Sequence, residues 1–183
     1  MVVTSQQYDK AVLSCRDIFV KKTKDYGTSW RVLRTISITD QLFIKAQRIR
    51  TIQQTGKQKV VDDIAGEFKA MVNYGVIGLI QLELKTESVE EMPADEAAKW
   101  YDEKIAEVKK IMLDKNHDYG EAWRDMSQEG FVDLILMKLL RVRQILANKG
   151  KTLISEGIDA NFVDIINYSV FALILIDEGK QPS

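Results

Sequence analysis

Cysteine is nearly missing from this sequence: Cys15 stands alone among 183 residues. That excludes an internal disulfide and a cysteine-built zinc site, and it fits a reducing compartment. Histidine is equally scarce, and the lone His117 has no second imidazole or thiol to share a transition metal with. Proline occurs only at Pro93 and Pro182, which leaves long stretches free of helix breakers. A charge excess is missing too: the formal net charge of −1 argues against a protein that coats polymeric DNA or RNA. No basic N-terminal region precedes an apolar run of signal-peptide length, and the longest apolar segment, around Val170 to Ile176, falls short of a bilayer span. These absences lead us to expect a cytoplasmic protein without membrane contact. Serine-triad motifs and the Gly-x-x-x-x-Gly-Lys phosphate loop are absent as well.

What the chain does have is apolar residues, 45% of the total, recurring at spacings of three and four. That periodicity predicts an all-α protein. It also has one pattern written twice. KTKDYGTSW at 22–30 returns as KNHDYGEAW at 115–123, 93 positions later. At that offset Tyr8-Asp9 falls on Tyr101-Asp102, Trp30-Arg31 on Trp123-Arg124, Asp40 on Asp133, Lys45 on Lys138, Arg48 on Arg141 and Arg50 on Arg143. One added residue then aligns Gly56-Lys57 with Gly150-Lys151 and Asn73-Tyr74 with Asn167-Tyr168. Shared helical periodicity can align apolar residues but not so many polar ones. The chain therefore reads as two tandem repeats, 5–85 and 95–178, joined by an acidic linker at 86–94.

Each repeat is expected to hold a long first helix, a loop carrying Asp-Tyr-Gly, a second helix with Lys and Arg, and a mostly apolar last helix. In the second repeat these fall near 94–114, 129–148 and 160–177. The last helix, NFVDIINYSVFALILI, is apolar nearly all round and belongs at the centre of a bundle. A unit of this size buries such a helix poorly alone, so two units should pair about an approximate twofold axis, as a fused homodimer.

Asp164 and Asn167 lie inside that apolar helix, three residues apart and on one face. A buried carboxylate needs a cation, a metal or strong donors. Two partners suit it: a structural pairing with Lys138 or Arg141, or a hard divalent ion such as magnesium shared with Glu156 and Asp159. Asp159 serves equally well as a helix N-cap. Alanine occupies the first-repeat positions matching Asp164 and Asp159, Ala70 and Ala65, with Asp62 matching Glu156, so the acidic site of the first repeat is expected to be incomplete. Lys138 and Arg141, like Lys45 and Arg48, are spaced to share a helical face and suit a phosphate chain. Tyr26, Trp30, Tyr119 and Trp123 can stack on a base or pack in the core.

The set Lys-x-x-Asp-Tyr-Gly-x-x-Trp, Asp133…Lys138-x-x-Arg141 and Glu156…Asp164-x-x-Asn167-Tyr168 resembles the nucleotide modification associated domain family, type 1, over nearly the whole chain. The resemblance implies a helical domain linked with nucleotide metabolism and modified bases. More faintly, the chain is similar to the all-α MazG-type nucleoside triphosphate pyrophosphohydrolases, which hold magnesium with acidic residues. Their paired Glu-x-x-Glu spacing occurs here only as Glu87 and Glu90, in the linker. The leading expectation is a magnesium-dependent nucleotide enzyme. In it Glu156, Asp159 and Asp164 hold the metal, Asp118 and Asp164 are catalytic, and Lys115, Tyr119, Trp123, Lys138, Arg141 and Asn167 bind the nucleotide. A noncatalytic nucleotide-binding module and a helical interaction protein, able to form a homodimer, are the alternatives.

Overall fold

A computed structural model describes residues 2–183. Among them are six α-helices: α1 (Val2–Tyr26), α2 (Thr35–Thr55), α3 (Ile64–Leu84), α4 (Ala94–Tyr119), α5 (Gln128–Ala147) and α6 (Ile158–Asp177). Short 3-10 turns at Ser29–Val32 and Ala122–Asp125 follow α1 and α4. The order helix, 3-10 turn, helix, helix thus occurs twice, in register with the sequence repeat.

Local chemistry sets the helix ends. Gly27 and Gly120 take left-handed φ values of 68° and 60°, and their N–H groups close on Thr23 and Asn116. Such a conformation ends a helix at little cost only where a side chain is missing. The expected Asp-Tyr-Gly loop is therefore the last helical turn plus its cap, and α4 runs to Tyr119 rather than 114. Asp63 caps α3 by accepting the Gly66 N–H at 2.6 Å, and Ser127 caps α5 through the Gly130 N–H at 3.0 Å. Gly157, not Asp159, holds the N-cap position of α6, and Asp159 sits in its first turn.

The two apolar helices, α3 and α6, make the largest helix–helix contact at the centre of the bundle, with α2 and α5 packed on them and on each other. Gly75 and Gly78 permit the close approach: a Cβ on Gly75 would fall 2.6 Å from Ile166 Cγ1, and one on Gly78 2.8 Å from the Phe162 ring. α6 is in fact long and apolar enough to cross a membrane by length and composition, since its polar residues are few, but 78% of that stretch is buried inside the bundle.

Five of the duplicated polar pairs tie one repeat to the other: Tyr8/Tyr101, Asp9/Asp102, Asp40/Asp133, Arg50/Arg143 and Asn73/Asn167. Tyr8 OH donates to Asn167 Oδ1 at 2.8 Å, and its counterpart Tyr101 OH donates to Asn73 Oδ1 at 2.7 Å. Each asparagine in turn donates to a backbone carbonyl of the first helix of its own repeat, Asn73 to Cys15 and Asn167 to Val108. Arg16 pairs with Asp102 while Lys109 pairs with Asp9; Arg143 pairs with Asp40 while Arg50 pairs with Asp133. Residue i meets j′ and j meets i′, the signature of an isologous dimer interface written into one chain.

Candidate functional site

The second repeat gathers only part of the predicted set. Asp164, 8% exposed, is clasped by two lysines: Lys115 Nζ of α4 lies 2.8 Å from Oδ1 and Lys138 Nζ of α5 lies 2.7 Å from Oδ2. This bridge joins three helices, and it satisfies the structural alternative for the buried carboxylate. Burial alone would lower the Lys115 pKa, but the hydrogen bond and charge of Asp164 outweigh it and the ammonium is held above its ordinary range. Tyr168 beside them has its hydroxyl pushed up by burial and then by the Asp164 charge.

The remaining predicted residues go elsewhere. Glu156 lines a broad open groove with Lys138, Arg141, Lys149 and Lys151, whereas Asp159 faces a separate cleft with Glu83, Lys104 and Glu107. Among the described residues no group of three His, Cys, Asp or Glu side chains is placed to share a metal ion. Glu156, Asp159 and Asp164 do not fit the expected magnesium site, because both Asp164 oxygens already face ammonium groups and the other two carboxylates lie in different clefts. Asp118 is exposed and meets His117 at 3.2 Å rather than Asp164. Trp123 is buried in a parallel stack on Phe171, with centroids 4.2 Å apart, so core packing takes the ring predicted to hold a base. Asn167 holds Tyr8, as above, and Tyr119 is 74% exposed at the end of α4.

The first repeat keeps a cleft beside its own tryptophan. A cleft of about 510 Å³ runs between α1, its 3-10 turn, α2 and α3, lined among others by Lys22, Tyr26, Trp30, Lys45, Asp62, Asp63, Glu67, Ala70, Tyr74 and Ile77. Two replacements remove side-chain bulk relative to the second repeat: Ala70 stands where Asp164 does, and Ile77 where Phe171 does. The missing acid is not missing; it has moved. Glu67, 4% exposed and one helical turn before Ala70, sits 2.7 Å from Arg48 Nη1 and 3.5 Å from Lys45 Nζ. Its second-repeat counterpart is Asn161. The expectation of an incomplete acidic site in the first repeat is thus corrected: residues three apart on a helix share a face, so either position reaches the Lys/Arg pair on the neighbouring helix. The one signal for it in the sequence was a glutamate directly before the apolar run FKAMVNYGVIGLI.

The relocation changes the first lysine of the motif. Lys115 is held by Asp164, whereas Lys22 faces a cleft wall where that carboxylate is replaced by a methyl, and it makes no ion pair among the described residues. Glu67 Oε2, although buried, accepts no hydrogen bond.

Comparison with known protein families matches residues 22–82, and again 115–176, to nucleotide modification associated domain 1. The chain belongs to this family. Neither curated proteins nor solved structures yield a match. The two matches begin at Lys22 and at Lys115, the motif lysine that is paired with Asp164 in the second repeat and lines the cleft in the first. Each copy of nucleotide modification associated domain 1 takes in the glycine-capped turn and the Lys/Arg helix, and reaches into the apolar last helix.

Proposed function

We propose that the protein binds a nucleotide, and that the cleft of the first repeat is where it does so. The observation that carries this is the composition of that cleft: an ammonium group, Lys22, without a counter-ion among the described residues, in the same 510 Å³ space as Tyr26 and Tyr74 and the carboxylates Asp62 and Glu67. Ligand pockets for small molecules fall at about 300–1,000 Å³, apolar and aromatic with a few convergent polar groups. Rings supply surface for a base, carboxylates accept from sugar hydroxyls or base N–H groups, and the lysine meets a phosphate. The family name points the same way, toward nucleotide modification. The reading is of binding; the carboxylates once assigned to magnesium give no support to hydrolysis, for the geometric reasons above.

A second reading, an interaction protein, draws on the loops after α2 and α5. Val61, Leu153 and Ile154 stand almost fully exposed there, at 95%, 101% and 99%. Unfolding midpoints measured with nucleosides, nucleoside monophosphates and triphosphates, with and without magnesium, separate the two, because a ligand of the native state raises the midpoint by mass action. Wild type should shift with a nucleotide, and Ala70→Asp, which puts a carboxylate opposite Lys22 as the second repeat does, should not. If no nucleotide moves the wild-type midpoint, binding in this cleft is refuted and the interaction protein is favoured.

A further inference from the structure

We infer that the first-repeat cleft takes a nucleoside carrying a single phosphate, one per chain, and discriminates against triphosphates. The inference rests on the binding reading above and adds to it the ligand's charge and stoichiometry. Its basis is the count of cations left free to meet an anion. Of the two lysines lining the cleft, Lys45 faces Glu67, whose other oxygen is held by Arg48. Only Lys22 is uncommitted. Against these two ammonium groups the cleft sets three carboxylates, Asp62, Asp63 and Glu67. A phosphate at Lys22 gains a charge-assisted hydrogen bond. Further phosphates find no second free cation and meet acidic walls, and like charges brought together in a partly desolvated cleft repel.

The other end of the ligand is set by Glu67. Its buried Oε2 accepts no hydrogen bond and faces the Lys45 ammonium only as a 3.5 Å ion pair, so it keeps the capacity to accept from a nearer donor, as does Asp62 on the same cleft. A nucleoside supplies sugar hydroxyl and base N–H donors at a distance from its phosphate, which inorganic phosphate and pyrophosphate cannot. The second repeat cannot bind in the same way: Lys115 is held by Asp164, and the space beside the tryptophan is filled by Phe171 where the first repeat has Ile77. Of the two equivalent places beside the tryptophans, one is therefore an open cleft and the other has become a structural bridge.

Calorimetric titration tests this with the standard nucleosides, their 5′-monophosphates and their 5′-triphosphates, in EDTA so that no metal masks phosphate charge. A monophosphate should bind at a stoichiometry of one, at least tenfold tighter than its triphosphate and about fivefold tighter than its nucleoside. Lys22→Ala should bring the monophosphate to within twofold of the nucleoside, while Lys115→Ala leaves both unchanged. Ile77→Phe should block all three ligands, and its circular dichroism and unfolding midpoint show whether it folds. A triphosphate that binds more tightly than the monophosphate, two sites per chain, or equal losses in Lys22→Ala and Lys115→Ala would overturn the inference while leaving nucleotide binding standing. No binding by any of the three ligand classes would overturn both.

Discussion

The displaced acid makes a quantitative prediction. Asp164→Ala leaves Lys138, 9% exposed, without its carboxylate, and removing one member of a buried pair costs about 3–5 kcal/mol. Two features favour the lower end. Lys138 borders the open groove, toward which its ammonium can turn, and both side chains of the pair keep 11% exposure. Lys115 is about half exposed, and its share of the bridge is worth less than about 1 kcal/mol. A loss of about 3 kcal/mol is expected, a large fraction of the roughly 5–15 kcal/mol that holds a domain together, yet not enough to unfold it. Alanine at this place in the first repeat does not show that the position tolerates alanine, because Glu67 supplies the carboxylate from one turn earlier.

The rescue follows from the same geometry. Asn161→Glu introduced into Asp164→Ala reproduces the first-repeat arrangement, and the new carboxylate reaches Lys138 and Arg141 as Glu67 reaches Lys45 and Arg48. The double variant should recover at least about half of the loss, a coupling near 1.5 kcal/mol of the size seen for residues in one network. Urea unfolding of wild type, both single variants and the double, analysed from midpoint and slope, measures it. A double variant no more stable than Asp164→Ala would show that the acid at 67 and the acid at 164 are not equivalent, and the account of the two clefts would fall with it.

Three further outcomes follow from the packing. Tyr8→Phe and Tyr101→Phe each leave a buried asparagine oxygen without its donor and should cost about 1–3 kcal/mol by denaturant titration; equal losses are expected from the twofold relation, and a neutral result in either would break it. Gly75→Ala drives a methyl into Ile166, which is fully buried, and should lower stability by about 1–3 kcal/mol, read as a drop in the thermal midpoint. Burial pushes the Cys15 thiol up to about 12, so at pH 8 it should resist an aromatic disulfide reagent in the native state and react promptly in denaturant; fast native labelling would contradict its place in the core.

The fold was legible because the signals agreed: helical periodicity, scarce prolines, glycine-capped turns and a duplicated register all pointed to paired helical units. The candidate site was only half legible. Asp40, Arg50, Asp133 and Arg143 repeat because each contacts the other repeat, and Asn73 and Asn167 repeat for the same reason. A ligand set and a pseudo-symmetric interface leave the same trace in a sequence, namely identical polar residues at identical positions. Opposite charge at positions that exchange partners was the clue in the sequence that favoured the interface. Glu67 escaped because a comparison at fixed register sets Ala70 against Asp164, whereas a Lys/Arg pair on a facing helix accepts an acid at either of two positions one turn apart.

Duplication within one chain is what allows the two clefts to differ. In a dimer of identical chains the acid must occupy the same position in both halves, and both lysines of the motif would be held or both free. Fusion lifts that constraint, and the linker adds an asymmetry of its own at the open cleft. The Met92 N–H donates to the Thr28 hydroxyl at 2.9 Å, Arg31 Nη1 donates to the Thr86 carbonyl at 3.1 Å, and Glu91 lies so close over Gly27 that a Cβ there would fall 2.4 Å from its carboxylate. Segment 86–92 is therefore packed against the glycine turn that borders the first cleft through Gly27 and Trp30, and it is not a free tether. The turn of the second repeat is met instead by residues 181 and 182, with Gln181 donating to the Met126 carbonyl and Gln128 to the Pro182 carbonyl. The connection that made two copies into one protein thus braces the half in which Lys22 lines a cleft, while the other half ties the matching Lys115, with Lys138, to Asp164.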